Sequence, residues 1–154
     1  MSIRVALLAD HPEVLPALAV ALKQEWPERY GEEADAIADL EERSRNTGLP
    51  LGIVAMDEGR AVGTLAIANR ATPSHSHLTP WIVGFWVDGS RRNRGIGSRL
   101  LKAACAKAWT DGFEHLYVAA TASSSLFLRE GWHKIDIGTT DAGTTVNIYA
   151  MRLS

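Results

Sequence analysis

Cysteine is nearly absent from the chain, which contains one such residue, Cys105, among 154. No disulfide can therefore form within it, and a lone reduced thiol is typical of the cytoplasm, where we expect this protein to function. The thiol lies between Ala104 and Ala106 in a helical pattern. This setting favours a buried, inert cysteine over a nucleophile.

Long apolar runs and an excess of positive charge are also missing. The first apolar run is interrupted at Asp10 and Pro12, too early for a signal peptide or a membrane span. Sixteen basic residues are outnumbered by eighteen acidic ones, which gives a formal net charge of -2. Non-specific binding to nucleic acids requires positive charge spread over a surface. We therefore expect neither a membrane nor a nucleic acid as a partner.

The shares of hydrophobic and charged residues, 46% and 22%, are those of an ordinary folded protein. A chain of this length buries about two-thirds of the surface of its unfolded state, which is enough for a hydrophobic core. The sequence shows no internal repeat and no segment with the composition of a linker. It thus predicts one folded domain over residues 1–154.

Hydrophobic periodicity predicts the element order β-α-α-β-β-β-α-β-α-β-β. The predicted strands cover residues 3–8, 51–56, 61–68, 81–87, 115–120, 133–137 and 145–152. The predicted helices cover residues 14–26, 31–45 and 123–130, with another directly after the glycines at 95 and 97. The strand at 81–87 is almost entirely apolar, which is typical of a strand buried on both faces. This order predicts an α/β fold of the α+β type, with a mixed, mostly antiparallel central sheet flanked by helices.

In the segment WVDGSRRNRGIGSRLL, residues 86–101, Arg91, Arg92 and Arg94 and the glycines at 95 and 97 lie where a strand gives way to a helix. The amino terminus of a helix exposes unpaired N–H groups and carries about half a positive charge. Glycines let an anion approach these groups closely, and arginines add charged donors. The pattern indicates a site for a phosphate or a pyrophosphate; a solvated turn is the alternative interpretation.

Two other phosphate-binding motifs do not fit this segment. A Walker loop requires Gly-x-x-x-x-Gly-Lys-Ser/Thr, which the sequence lacks. A dinucleotide fingerprint requires a third glycine at position 100, where the chain has Leu100. The anion is therefore expected to belong to another kind of ligand.

The stretch Arg92-Asn93-Arg94-Gly95-Ile96-Gly97 resembles the Arg/Gln-x-x-Gly-x-Gly/Ala motif of the GNAT superfamily of acetyl-CoA-dependent N-acetyltransferases. It follows an apolar strand and opens a helix, as the motif does in that family. The later stretch SSSLFLREGW, residues 123–132, is similar to a helix that usually reads Leu/Phe-Tyr-x-x-x-Gly-Phe/Trp. The element order resembles that of the family too, so the resemblance covers essentially the whole chain.

The resemblance implies that acetyl-CoA binds as a co-substrate. Backbone N–H groups of the motif would hold the pyrophosphate, and main-chain groups of the preceding strand would pair with pantetheine. The strands at 81–87 and 115–120 would splay apart and open a slot where the cofactor and the amine meet. The residues implied in cofactor binding are Phe85, Trp86, Val87, Arg92, Asn93, Arg94, Gly95, Ile96, Gly97 and Ser98.

The usual acid and base of the family are missing from their usual positions. The base is often a Glu or His early in the strand at 81–87, which here holds only Trp, Ile, Val, Gly and Phe. The tyrosine that often protonates the thiolate falls at Phe127, which has no hydroxyl. We therefore take His77, or its neighbour His75, as the candidate base, with a solvated loop histidine as the alternative interpretation. Ser124 is the candidate donor to sulfur, with helix capping as the alternative role.

Three further expectations concern metals, tryptophans and assembly. The five histidines show no spacing typical of a metal site, so we expect no metal. Trp81 is expected to face the acceptor, and the other tryptophans are expected in the core. The resemblance implies a possible homodimer through the last strands, where Thr145 to Leu153 alternates enough to form a sheet edge.

The predicted function is direct transfer of an acetyl group from acetyl-CoA to a primary amine of a small molecule or a peptide. The acidic helix at 31–45 would favour a cationic acceptor if it faces the slot. The alternative is a non-catalytic acyl-CoA-binding sensor or partner domain, which the missing tyrosine motivates.

Overall fold

The computed structural model describes residues 2–121 and 125–154. Its strands are β1 (Ile3–Leu7), β2 (Leu51–Asp57), β3 (Arg60–Ala68), β4 (Trp81–Val87), β5 (His115–Ala120), β6 (His133–Thr139) and β7 (Thr145–Arg152). Its α-helices are α1 (Leu15–Glu25), α2 (Glu33–Arg43), α3 (Ile96–Thr110) and α4 (Ser125–Arg129). Within the described residues, none of the helices has the length and apolar character needed to cross a membrane.

The strands form one sheet in the order β1-β2-β3-β4-β5-β7-β6. The pairs β1–β2, β5–β7 and β6–β7 are antiparallel, whereas β4 and β5 are parallel, with Trp81 opposite Tyr117. The prediction of a mixed, mostly antiparallel α/β sheet with helices is confirmed. The predicted order of strands and α-helices is also the observed one, because most strands are apolar runs bounded by turn residues.

The last strand is interior, so the prediction that Thr145 to Leu153 forms a sheet edge is wrong. β7 pairs with β5 on one side and with β6 on the other; Tyr149, for example, lies opposite Val118 and Lys134. β6 is the terminal strand on this side. Alternation along a strand reflects its two faces and says nothing about its neighbours. Which strand lies at the edge of the sheet depends on pairing with other strands, and the alternation within β7 does not predict that pairing.

The contacts within the chain divide it into two units, and the first consists of the residues up to 66 together with 84–100. In this unit α1 has Pro16 in its first turn, where no N–H is needed, and ends just before Pro27. α2 begins with a capping box between Glu32 and Asp35. Both helices contribute to one core cluster, whose buried residues include Leu18, Leu22, Leu40, Val54 and Met56.

The second unit consists of residues 67–83 and 101–154. Its core includes Trp81, which is fully buried beside Val146 and Ile148 and donates from Nε1 to the Leu78 carbonyl at 2.6 Å. The prediction that Trp81 faces an acceptor is therefore wrong. The expectation of a core position is also wrong for Trp109, whose side chain is half exposed.

Candidate active site

The backbone of β4 changes direction at Gly84, whose φ of +60° lies in the left-handed region. The guanidinium of Arg43, at the end of α2, fills the space beside this residue. A Cβ built at residue 84 would lie 2.6 Å from Arg43 Nη1. The Arg43 side chain is only 7% exposed, and its Nη2 lies 3.9 Å from Asp39 Oδ2. A buried cation thus packs against the strand immediately before Phe85.

The part of β4 after Gly84 is more open than the sequence suggested. Phe85, Trp86 and Val87 are all partly exposed. The prediction of a strand buried throughout is confirmed for Trp81 and Ile82 and wrong for these three residues. The N–H of Asp88 donates to the Val62 carbonyl at 2.9 Å, which holds the end of β4 beside β3.

The loop that follows β4 is anchored by its first arginine. Arg91 Nη1 donates to Asp57 Oδ2 at the end of β2, and both side chains are largely buried. Asp88 accepts hydrogen bonds from the N–H and the hydroxyl of Ser90 and so closes the turn. Arg91 therefore has a structural role, and the sequence analysis was wrong to count it among the donors available to an anion.

The next four residues of the loop are exposed. Arg92 donates from Nε to the Val87 carbonyl at 3.4 Å, and its Nη2 lies 3.6 Å from Glu25 Oε1. Asn93 and Gly95 have φ of 64° and 78°, the left-handed values that asparagine and glycine tolerate best. A loop that contains such residues favours the concave arrangement of N–H groups that binds anions.

The amino terminus of α3 has no side chain to cap it, because the residue before the helix is Gly95. The first helical hydrogen bond runs from the Arg99 N–H to the Gly95 carbonyl at 3.1 Å. The N–H groups of Ile96, Gly97 and Ser98 lie before this first bond and therefore have no acceptor within the helix. Gly63 of β3 lets the helix approach the sheet, since a Cβ there would lie 3.1 Å from the Ile96 side chain.

A cavity of about 480 Å³ opens beside Trp86 and Arg92. It lies between one face of α1, the turn after β2 and the end of β4. Three carboxylates and two guanidinium groups belong to its lining residues, so it suits a polar ligand. The lining residues are Glu13, Val14, Ala17, Leu18, Ala21, Gln24, Glu25, Gly59, Arg60, Ala61, Trp86, Asp88, Gly89 and Arg92.

The family model of the acetyltransferase (GNAT) family matches residues 15–130 of this chain, including β4, the loop and α3. The chain belongs to the GNAT acetyltransferase family. Comparison with curated proteins gave no match.

Solved GNAT structures have the same fold. An aminoglycoside 6'-N-acetyltransferase complexed with coenzyme A is 16% identical, with a TM-score of 0.77 over 99% of this chain and 97% of that one. The aminoglycoside 6'-N-acetyltransferase from Enterococcus faecium is 16% identical, with a TM-score of 0.75 and the same coverage. Ribosomal-protein-alanine N-acetyltransferase from Brucella melitensis is 22% identical, with a TM-score of 0.70 over 99% of this chain and 100% of that one.

In this GNAT chain the candidate base, His77, is exposed and stacks on His75 with ring centroids 5.8 Å apart. His75 is buried, and its Nε2 lies 2.8 Å from Asp136 Oδ2. This hydrogen bond is the main reason why the pKa of Asp136 is lowered. The sequence analysis missed Asp136, because 61 positions separate it from His75. Ser124, the candidate donor to sulfur, lies outside the described residues.

Phe127 has a packing role in the GNAT chain. It is 6% exposed, stacks on Tyr149 and meets Trp132 edge-on, with centroids 5.5 and 5.7 Å apart. Cys105 is half-buried, and burial, with a smaller effect of the Glu130 carboxylate, raises the pKa of its thiol to about 11. These observations agree with packing roles for both side chains. Among the described residues, no group of three or more potential ligands is arranged to hold a metal ion.

Proposed function

We propose that this protein transfers an acetyl group from acetyl-CoA directly to a primary amine of a small molecule or a peptide. The observation that carries the proposal is the start of α3. There the N–H groups of residues 96–98 follow Gly95, which has φ of +78° and no side chain that could cap the helix. Membership of the GNAT family and a neighbour solved with coenzyme A support acetyl transfer.

The pyrophosphate of the cofactor would bind to the backbone N–H groups of residues 92–98. The positive end of the helix dipole of α3 favours two phosphates there. The exposed side chains of Asn93 and Arg94 add donors on the same loop. Arg92 would exchange the carboxylate of Glu25 for a phosphate, and this exchange is cheap because both side chains are largely solvated.

Pantetheine would lie along β4 and pair with main-chain groups of Phe85, Trp86 and Val87. The partial exposure of these residues supports this placement, because a strand buried on every side would offer no room for a ligand. A backbone N–H near Val87 would then donate to the thioester carbonyl. Such a donor stabilises the oxyanion that forms when the amine attacks.

Direct transfer forms a bond between the amine nitrogen and the acetyl carbon, and the bond from that carbon to sulfur breaks. The amine must first lose a proton. At pH 7 this costs about 4.6 kcal/mol for a lysine amine but only about 1 kcal/mol for an α-amino group. The thiolate of CoA, with a pKa of about 8.5, leaves without a strong acid. Because β4 has no Glu or His side chain that could take this proton, an acceptor amine of low pKa is favoured.

His77 is our candidate for the base that removes this proton, directly or through a water molecule. Its exposure in the loop before β4 leaves the imidazole open to solvent and to a substrate. Ser124 remains the candidate donor to sulfur. Phe127 cannot take that role, because it has no hydroxyl and is buried.

We also propose a homodimer, now formed through β6. This strand ends the sheet, and both of its isoleucines are half exposed, Ile135 by 50% and Ile137 by 55%. An edge strand with apolar side chains offers hydrogen-bonding groups and buried area to a second copy. Light scattering that finds a monomer at micromolar concentration would exclude this assembly.

A second candidate function, a non-catalytic acyl-CoA sensor, is favoured by the phenylalanine at position 127. One experiment separates the two. Acetyl-CoA is incubated with peptide amino termini, polyamines and aminoglycosides, and free thiol is measured with a chromogenic disulfide. An enzyme releases thiol with at least one amine class, and a sensor binds acetyl-CoA in calorimetry yet releases none. A chain that neither binds nor turns over acetyl-CoA contradicts both functions.

A further inference from the structure

Two side chains of the segment between β3 and β4 form a hydrogen-bonded chain with a side chain of β6. Ser74 Oγ lies 2.8 Å from His75 Nδ1, and His75 Nε2 lies 2.8 Å from Asp136 Oδ2 on β6. Serine, histidine and aspartate are the groups that many hydrolases combine to make a hydroxyl nucleophilic. All three residues lie in the second unit.

The direction of these hydrogen bonds follows from the chemistry of the groups. An ionised carboxylate only accepts, so the proton between His75 and Asp136 belongs to Nε2 of the imidazole. In the neutral ring Nδ1 then carries a lone pair and accepts the hydroxyl proton of Ser74. The pKa of Asp136 is lowered chiefly by the hydrogen bond from His75, which agrees with an ionised carboxylate.

The hydroxyl stands at the surface, whereas its base is buried. Ser74 is exposed, and the His75 side chain is 9% exposed. The N–H of Thr139 donates to Ser74 Oγ at 3.0 Å, which stabilises negative charge on that oxygen. Gly138 permits this approach, because a Cβ there would lie 2.9 Å from Ser74 Oγ and 3.1 Å from His75 Nδ1. The arrangement therefore depends on residues from two distant segments.

We propose that Ser74 is a nucleophilic serine that accepts acyl groups from small activated esters. Oγ attacks the ester carbonyl, His75 Nδ1 takes the hydroxyl proton, and the bond to the leaving alkoxide or phenoxide breaks. The imidazolium returns the proton to that leaving group. Water, deprotonated by the same imidazole, then attacks the acyl carbon; the bond from that carbon to Oγ breaks, the imidazolium returns its proton to Oγ, and the acid is released. Ser74 and His75 are the catalytic residues, and Asp136 is a positioning residue that fixes the tautomer of the ring.

This activity is separate from the proposed acetyl transfer, since it uses neither the loop at 92–98 nor acetyl-CoA. The structural alternative is that the three side chains only fasten the segment at 72–78 to β6. The two interpretations differ in the chemistry of the Ser74 hydroxyl, since an anchor needs its hydrogen bonds and no reactivity.

The first experiment treats the full chain, without acetyl-CoA, with an alkyl fluorophosphonate. Oγ displaces fluoride from phosphorus, and fragmentation mass spectrometry locates the adduct. We expect a single adduct on Ser74 and none on S74A. The matched control is S76A, since Ser76 is an exposed serine two positions away on the same turn. It should label like the wild type. An adduct on Ser76, or no adduct at all, overturns the proposal.

The second experiment measures the contribution of the positioning residue. Asp136→Asn is isosteric at a side chain that is 61% exposed, so the fold should persist. Its amide can donate to Nε2 and place the ring proton on Nδ1, where the ring cannot accept from Ser74. Labelling and release of 4-nitrophenol from 4-nitrophenyl acetate should fall at least tenfold, and Asp136→Glu should recover part of the loss. Rates for Asp136→Asn within twofold of the wild type, in a variant that is still folded at the assay temperature, overturn the proposal.

Discussion

The guanidinium of Arg43 occupies the space in which a side chain at residue 84 would begin. A long cationic side chain from α2 and a missing side chain in β4 are therefore complementary. The contact lies directly before the stretch of β4 that we propose to pair with pantetheine. It links the packing of the first unit to the shape of the proposed site.

Replacing Gly84 with alanine should reduce the free energy of unfolding. A left-handed φ costs a non-glycine residue about 1–3 kcal/mol, and the added methyl group also displaces the buried guanidinium. Gly59→Ala is the matched control, because that glycine has φ of +81° and nothing within 4 Å of its Cβ position. Urea unfolding should show a larger loss for Gly84→Ala than for Gly59→Ala. Equal losses would show that Arg43 moves aside freely.

Replacing Gly95 with valine should weaken acetyl-CoA binding at least tenfold, about 1.4 kcal/mol. The side chain would strain the left-handed backbone and block the approach of a phosphate. Gly112→Val is the control at the other end of α3, where φ is +93° and nothing lies within 4 Å of the Cβ position. Calorimetry should find wild-type affinity for this control. Unchanged affinity in Gly95→Val would show that the pyrophosphate of acetyl-CoA does not bind at this loop.

Replacing His77 with alanine should lower the maximal acetylation rate at least a hundredfold, about 2.7 kcal/mol of barrier, if this imidazole is the base. Acetyl-CoA affinity should stay the same, because His77 is not part of the loop at 92–98. His133→Ala, at another exposed histidine, should keep the full rate. A His77→Ala rate above a tenth of wild type between about pH 6 and pH 9 would assign the proton transfer to water or to the acceptor itself.

Cys105 should react slowly with a chromogenic disulfide. The pKa of its thiol is raised from 9.0 to about 11, so the thiolate fraction at pH 8 is about one part in a thousand. Unfolding in urea restores the ordinary pKa and exposes the sulfur, and the rate should rise at least tenfold. Equal rates in the folded and unfolded chains would contradict the effect of burial.

Asp136 should stabilise the fold in a pH-dependent way. Its pKa in the folded chain lies below the ordinary 3.8, chiefly through the hydrogen bond from His75. Its stabilisation is therefore complete well above pH 3.8 and is lost as the pH falls through the lower folded value. Urea unfolding of wild type and Asp136→Asn should give a constant difference near neutral pH and a shrinking one in acid. If the difference in unfolding free energy between the two chains grows in acid, ionised Asp136 does not stabilise the folded chain.

The sequence predicted the parts of the fold that depend on neighbouring residues. β4, β5 and β7 were predicted with their observed bounds, since each is an apolar run between turn residues. The place of β7 inside the sheet was not predicted, because strand order depends on pairing between distant segments.

The candidate site shows the same division. The glycines and arginines of the loop stand together in the sequence and indicate an anion. The partners of Arg91 and His75 lie 34 and 61 positions away, and a single sequence contains no signal that joins them. The role of Arg91 as an anchor was consequently missed.

The partial exposure of Trp86 has an optical consequence. Its indole belongs to the stretch of β4 proposed for pantetheine, whereas Trp81 and Trp132 are buried and should emit at constant, shorter wavelengths. The two other indoles among the described residues that are not buried, Trp26 and Trp109, can be replaced by phenylalanine. A ligand that settles along β4 would then change the emission of one identifiable fluorophore. The chain thus carries an internal reporter with which cofactor titrations can be followed without any added label.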